Sequence, residues 1–348
     1  MRALVVEAPG KAGVIQIQQP QIRDDYIKIK VSAVALNPTD WKHIDAIADE
    51  GAVVGCDAAG EVVEIGSRVE TKVSVGDHVY GFLNGSNVSN HEDGAFAEYA
   101  VIRDGIFAKV PSGVTDEAAS TLALGLVTCG QGLYQSLELP WPDAPATTPF
   151  PVLVYGGSTA TGMLAVQLAK LSGLTVITTA SKRNFQLLKD LGADEVFDYN
   201  DPECSSRIRE YTKDKLYYAF DCIAEGSSIE ICSEALSSSA PPTGLHYSAL
   251  LFVKSFPRGD VKTRTTLAYT GIGEAFEKRG KTTPAMPDHY QFAKRFMKVA
   301  GDLLAAGKLK PGNFAVKEGG LEGILDGLKD LKENKVSGTK LVYRIDSV

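Results

Sequence analysis

The 348-residue sequence has only five cysteines (Cys56, Cys129, Cys204, Cys222, Cys232), and the closest two stand ten positions apart. With no C-x-x-C pair, a disulfide framework is excluded, and reduced thiols in a reducing compartment are expected. A basic surplus is missing too. Lys and Arg number 36 against 43 Asp and Glu, giving a net charge of −7 and a pI near 5.4. Nucleic-acid binders carry the opposite balance. Long apolar runs are also absent. The first residues reach Glu7 after four apolar positions, too few for a secretory leader. No stretch approaches the about 20 apolar residues of a membrane span. Ile345-Asp346-Ser347-Val348 carries no prenylation or retention motif. A cytoplasmic location is expected.

What is present suits an ordinary soluble protein: 44% hydrophobic and 23% charged residues. The length suggests about two domains at about 150 residues each. Up to about residue 110 the chain shows short β-rich runs at 3–7, 14–18, 26–31, 60–65, 78–81 and 96–101. Turns such as Pro9-Gly10 and Val75-Gly76-Asp77 separate them, as in a small barrel-like module. Asp116 and Glu117 then open a helical stretch, where acids suit the helix dipole. After a proline-rich linker at 139–151 come apolar runs at 152–155, 175–179, 195–198, 218–222 and 244–250. Helical patterns such as 163–171 and 184–191 lie between them, so a doubly wound parallel sheet is expected. The tail reads as helices at 292–306 and 321–333 and a closing strand at 340–345.

The run at 152–155 leads into Gly156-Gly157-Ser158-Thr159-Ala160-Thr161-Gly162 and then a helix. Strand, glycine turn and helix together hold a dinucleotide pyrophosphate, because glycines admit close backbone approach and the helix start favours an anion. The spacing is not a strict G-x-G-x-x-G. The end of the next strand is expected to choose the cofactor. An NAD site places an acid there for the ribose hydroxyl, whereas this chain has Ser181, Lys182 and Arg183. A hydroxyl with two cations suits a 2′-phosphate, so NADPH is the expected cofactor.

This layout resembles the medium-chain dehydrogenase/reductase superfamily. The resemblance implies a GroES-like β-rich catalytic domain (1–124 and 288–348) and a Rossmann NADPH-binding domain (125–287), an α/β protein. Zinc members of that superfamily hold their metal with a Cys, the His of a Gly-His-Glu and a later Cys. The matching stretches here are Asn37-Pro38-Thr39-Asp40 and Gly55-Cys56-Asp57, with no later thiolate at 149–155. A catalytic zinc needs about three such side chains, so no metal is expected. Cys56 reads as a small packed residue, and His246 as core or cofactor lining.

Within the superfamily the sequence is similar to fungal trans-acting enoyl reductases of polyketide biosynthesis. The marks are Val154-Tyr155-Gly156-Gly157-Ser158-Thr159-Ala160-Thr161, Glu195-Val196-Phe197-Asp198-Tyr199, Asp221-Cys222-Ile223 and Val336-Ser337-Gly338-Thr339-Lys340-Leu341-Val342. The resemblance implies an NADPH-dependent monomer reducing enoyl thioesters on a polyketide synthase carrier domain. It implies cofactor contacts from Thr39, Asp40, Trp41 and Lys42; from Ser158, Thr159, Ala160 and Thr161; and from Ser181, Lys182, Arg183 and Asn184. Tyr199, Leu250, Leu251, Val336 and Ser337 complete that set. It implies acyl-chain contacts from Thr128, Cys129, Gly130, Gln131, Gly132 and Leu133, and from Thr270, Gly271, Ile272, Gly273 and Glu274. Lys42 and Thr128 match positions bearing on activity, as donors toward the thioester oxygen, although Lys42 could equally hold the nicotinamide ribose. No side chain stands out as the proton donor. Two other readings compete: a zinc-independent quinone or enone oxidoreductase acting on free small molecules, and a reductase-like subunit that binds NADPH but serves as a partner. Residues 254–310 hold twelve Lys and Arg against five acids, with Lys294, Arg295 and Lys298 the expected docking cations for an acidic carrier protein.

Overall fold

A computed structural model of the chain describes residues 1–278 and 280–345; Arg279 of the basic stretch and residues 346–348 lie outside the described residues. The chain forms two compact units, Met1–Val127 with Ala268–Val348, and Thr128–Leu267. The first unit regains the chain at Ala268, twenty residues before the expected return at 288.

The first unit is built on a seven-stranded sheet. Its central strand, Tyr26–Ala35, pairs antiparallel with Asp57–Ile65 on one side, and with Tyr99–Arg103 and Lys340–Arg344 on the other. Inward positions of these strands, such as Ile27, Ile29, Val62 and Ile102, form the core with Leu321, Ile324 and Leu328 of the helix Gly320–Lys332. Apolar residues three and four apart give that helix its buried face. The helix Pro287–Ala305 buries Ala293, Phe296, Met297, Ala300 and Leu304 by the same spacing.

One ion pair ties these pieces together. Asp57 is fully buried, and Lys340, on the last strand, is 4% exposed. Asp57 Oδ2 accepts from Lys340 Nζ at 2.6 Å and from Asn37 Nδ2 at 2.8 Å, and Oδ1 accepts from the Leu124 N–H at 2.7 Å. Lys340 Nζ also donates to the Thr121 carbonyl at 3.0 Å. Four distant segments meet on two charges.

The second unit is a six-stranded parallel sheet in the order Glu195–Asp198, Thr175–Ala180, Pro151–Tyr155, Tyr218–Asp221, Leu245–Ala249, Val261–Thr265. Helices Ala160–Leu171, Phe185–Asp190, Cys204–Tyr211 and Ser228–Ala235 connect the strands, as the alternating pattern leads one to expect. The edge strand Val261–Thr265 was not foreseen. Only Val261 is buried, and Lys-Thr-Arg-Thr gives no apolar signal, so backbone pairing with Leu245–Ala249 defines it. Also unforeseen were the helix Pro38–Ala46 and the hairpin of Phe276–Lys278 with Lys281–Thr283.

Removing one member of a buried, hydrogen-bonded ion pair leaves the other uncompensated, which costs about 3–5 kcal/mol. Lys340→Ala should lower the unfolding free energy of the full chain by that amount in urea titrations. A change within about 0.5 kcal/mol, the scale of an ordinary surface substitution, would show that the pair is not a structural tie.

Candidate active site

The expected site residues fall into two sets, one in each unit. In the second unit, strands end together at Tyr155, Ala180, Asp198, Asp221 and Ala249, with Asp198 opposite Ala180 and Asp221 opposite both Tyr155 and Ala249. The chain runs outward from Pro151–Tyr155 on one side and resumes at Tyr218–Asp221 on the other. Ligands of open parallel sheets bind outside the carboxyl ends of the strands at such a switch point. The glycine turn, Ser181–Asn184, Tyr199 and Leu250-Leu251 all follow directly on these strand ends.

The glycine turn is packed as tightly as its sequence suggests. Gly156 adopts φ +80°, and its N–H donates to Thr179 Oγ1 at 3.0 Å. A Cβ at Gly157 would come within 2.0 Å of Thr178 Oγ1, and one at Gly162 within 2.3 Å of the Gly156 carbonyl. No other residue fits either place. Thr159 caps the helix Ala160–Leu171, its Oγ1 accepting from the Gly162 N–H at 2.9 Å. The amides of Ala160 and Thr161 head the helix, where intrahelical acceptors are lacking and the dipole favours an anion.

At the next strand end, Ser181 leads into a short 3₁₀ turn, Lys182–Asn184. Lys182 and Arg183 are exposed, Asn184 is buried, and neither cation pairs with a carboxylate among the described residues. Tyr199 is 39% exposed at the neighbouring strand end. A groove of about 810 Å³ opens at this edge of the sheet, its lining including Lys182 and Arg207 and four acids, Glu195, Asp198, Asp201 and Glu210.

Thr128 and Cys129 end the helix Ala123–Cys129, which widens into a π-helical stretch over Gly130–Ser136. Such widenings recur at functional sites. Cys129 Sγ donates to the Thr161 carbonyl at 3.4 Å, so this segment touches the first turn of the phosphate helix. Gly132 lies against Phe220, where a Cβ would come within 2.2 Å of the ring, and Leu133 is fully buried. His246 is buried and stacks on Tyr218 with centroids 5.2 Å apart, a core position.

In the first unit, Asn37 and Pro38 start the helix that carries Thr39, Asp40, Trp41 and Lys42; the Asn37 N–H donates to Asp40 Oδ2 at 2.7 Å. Asp40 is 1% exposed, and burial pushes its carboxyl up to about 7. Lys42 is half-buried, its ammonium 5.6 Å from the Trp41 ring centre. Val336 packs against the first unit's core, and Ser337 is exposed. Residues Thr270 to Glu274 fall in this unit. Thr270 Oγ1 pairs with His289 Nδ1 at 2.8 Å, Arg103 donates to the Ile272 carbonyl, and Glu274 accepts from the Tyr26 hydroxyl at 2.7 Å.

One group here went unnoticed in the sequence. Lys278 Nζ sits 3.3 Å from the centre of the Tyr269 ring and contacts His43 Nε2. His43 Nδ1 lies 2.7 Å from the Thr39 carbonyl and 3.0 Å from Thr39 Oγ1, and that hydroxyl is 2.7 Å from the Tyr269 hydroxyl. The Tyr269 hydroxyl in turn reaches Cys56 Sγ at 3.5 Å. Burial pulls the Lys278 ammonium down to about 7 and pushes the Cys56 thiol and Tyr269 phenol well up, so both of the latter stay neutral.

The positions that match zinc ligands are otherwise employed. Asn37 bonds to Asp57, and Cys56 is a packed thiol against Tyr269. Among the described residues no three His, Cys, Asp or Glu gather to hold a metal ion, so the donor set does not fit zinc. Two of the three expected docking cations are engaged in ion pairs. Lys294 is bound to Asp104 at 2.6 Å and Glu70 at 2.9 Å, and Lys298 to Asp302 at 2.8 Å on its own helix. Neither is a free cation. No helix among the described residues is long and apolar enough to cross a membrane.

Residues 23–112 match the alcohol dehydrogenase GroES-like domain and residues 160–240 the zinc-binding dehydrogenase family. The fold is also that of an alcohol dehydrogenase superfamily protein from Novosphingobium aromaticivorans, with TM-score 0.81, 22% identity, and coverage of 99% of this chain and 100% of that one. Strand-end turn, glycine-rich helix start and β-rich partner unit thus define a medium-chain dehydrogenase/reductase. Its relatives narrow the class. The trans-enoyl reductase ACTTS2 of Alternaria alternata is 46% identical over 346 residues, 99% of each chain. The trans-enoyl reductase TOXD of Cochliobolus carbonum is 48% identical over 276 residues, 79% of this chain and 91% of its own. The chain belongs to the fungal trans-enoyl reductases, oxidoreductases acting on an enoyl carbon–carbon double bond.

The half-buried lysine has a consequence for stability. Its folded value, about 7, lies below the unfolded one, so between about pH 7 and pH 10.5 the unfolded chain binds the extra proton and stability rises with pH. The cost of burying the ammonium is fully present below pH 7 and gone above the unfolded value. Lys278→Met should therefore raise the unfolding free energy more at pH 7 than at pH 10. An equal effect at both, in paired denaturant titrations, would contradict a depressed lysine.

Proposed function

We propose that this chain uses NADPH to reduce the α,β double bond of an enoyl thioester carried on a polyketide synthase carrier domain, acting in trans, without zinc, as a cytoplasmic monomer. The observation that carries the cofactor choice is Ser181-Lys182-Arg183 at the end of Thr175–Ala180, with both cations exposed and unpaired among the described residues. A 2′-phosphate meets two cations there, where NAD would need a carboxylate. The glycine turn and the amides at the head of Ala160–Leu171 would hold the pyrophosphate. When bound, the nicotinamide supplies the hydride for the β-carbon.

The chain's own residues orient the substrate and stabilise the negative charge that develops on the thioester oxygen. Donors positioned in advance toward such an oxygen make the largest electrostatic contribution in reactions of this kind. Lys42 and the Thr128 hydroxyl are the candidates, and Cys129 to Leu133 would line the acyl chain. The names of the relatives support the reaction over a subunit that only binds.

Two outcomes are expected. Lys182→Ala with Arg183→Ala should weaken NADPH binding by about 1–3 kcal/mol, the scale of hydrogen bonds to a charged group, and leave NADH binding unchanged in fluorescence titrations. Equal losses for both cofactors would refute the phosphate reading. The wild-type protein should consume NADPH with a crotonyl thioester and not with quinones, while Lys42→Ala and Thr128→Val lower turnover without loss of fold. Unchanged kinetics in both variants would remove them from the mechanism, and turnover with quinones alone would favour an enzyme of free small molecules.

A further inference from the structure

Conjugate reduction requires a proton at the α-carbon, and neither Lys42 nor Thr128 accounts for its source. The first unit contains a built group that does. Lys278 stands at the end of the strand Phe276–Lys278, boxed by aromatic rings: its Nζ is 3.3 Å from the Tyr269 centre and 5.8 Å from that of Phe276. Tyr269 also packs on Phe82 and His43, with centroids 5.7 and 5.6 Å away. Among the described residues no carboxylate pairs with this ammonium. An ammonium in an aromatic box is held by cation–π attraction, but one without an anion is costly to keep charged.

The contacts impose a direction. His43 Nδ1 lies 2.7 Å from the Thr39 carbonyl, an oxygen that can only accept, so Nδ1 carries the proton. Nε2 then has the lone pair, and it faces Lys278 Nζ, which can only donate when charged. Thr39 Oγ1, 3.0 Å from the same Nδ1, is the next acceptor. Donor, acceptor-donor and hydroxyl stand in one line.

We propose that Lys278 and His43 form a proton reservoir that delivers through the Thr39 hydroxyl to the reduced substrate. The Thr39 O–H bond breaks as the α C–H bond forms, the resulting alkoxide takes the His43 Nδ1 proton, and His43 Nε2 takes one from the Lys278 ammonium. The neutral amine then takes the Nε2 proton back as Nδ1 is reprotonated from solvent, which restores the starting tautomer and the ammonium. No electrons change hands in these steps beyond those already delivered to the β-carbon. Lys278 and His43 are positioning residues, because they act through Thr39. The inference rests on the enoyl-reductase reading and adds its proton source.

Among the described residues the groups facing Lys278 are few. His43 and, behind Cys56, Asp40 approach from the helix Pro38–Ala46; Tyr269 comes from the turn Ala268–Ile272; Cys56 comes from the segment before Asp57–Ile65; and Lys281 stands opposite in the hairpin register. Cys56 and Tyr269 stay neutral, for burial pushes both up, whereas Lys278 is pulled down to about 7. The reservoir therefore empties as pH rises through that value.

The test follows turnover from pH 5.5 to 9, with a crotonyl thioester and separately with a free enone, in wild type, Lys278→Met and Lys278→Arg. Expected are a wild-type kcat that falls above about pH 7 and variants about 100-fold slower with flat profiles, the scale of general-acid catalysis, at unchanged KM. Arginine keeps the charge but cannot release the proton, so it should fail like methionine; recovery with arginine would reduce Lys278 to a structural cation. An unaltered pH limb in Lys278→Met would overturn the reservoir. A readout independent of turnover is the His43 imidazole by NMR, which should titrate at higher pH once the neighbouring cation is gone; an unmoved titration would overturn the coupling. Failure with the thioester but not with the enone would indict the substrate reading alone, since both reductions need the same proton.

Discussion

The buried pair of Asp57 and Lys340 is the constraint from which the first unit's chemistry follows. Placing two charges where almost no water reaches is expensive, and the expense is offset only if every acceptor and donor is matched. Here Asn37, the Leu124 amide and the Thr121 carbonyl complete the set. Because Asn37 is also the cap of the helix Pro38–Ala46, the same pair sets where that helix starts. Thr39 and His43 are thereby aimed at the aromatic box one turn further on, and Cys56, next to Asp57, is pinned against Tyr269. A loss at the pair would reach Asp40, which feels both of its charges, and Cys56, which feels that of Asp57.

The same residues account for the departure from zinc chemistry. In a metal site a thiolate must form, and a thiolate needs a cation or metal to hold its charge. Cys56 has burial working against ionisation. Asn37 spends its amide on Asp57 instead of offering a thiolate. What polarises this region is a lysine and a histidine, groups that give protons where a metal would attract electron pairs. That difference suits a reaction whose hardest step belongs to the cofactor.

The second unit was largely legible in the sequence, because a Rossmann half encodes itself locally. A buried strand, the glycine turn and the following helix lie within about twenty residues, and the basic loop at Ser181 comes at the next strand end. The first unit was legible only as β-rich. Its helix at Pro38 announced itself through Asn37, Pro38 and Asp40, a cap, an N1 proline and a first-turn acid, yet the run was too short and too polar to stand out. Lys278 could not have been found that way. It meets His43 across 235 positions, and in a stretch rich in basic residues it reads as one more surface charge. Lys294 misled in the same manner: counted as a docking cation, it is a clamp on Asp104. Charge counts along a sequence carry no information about which cations have found partners.

The two units offer different kinds of structure. Parallel strands ending on one edge give fixed backbone donors, which suit a cofactor phosphate that never changes charge during the reaction. A proton source must do the opposite and exist in two charge states of similar free energy. A surface lysine cannot, because water holds its proton too tightly at neutral pH. Burial in an aromatic box weakens that hold without supplying an anion that would restore it. The absence of a carboxylate partner for Lys278 among the described residues is thus the feature that makes the position chemically useful. A single acid placed in the box would stabilise the fold and fix the proton on the lysine.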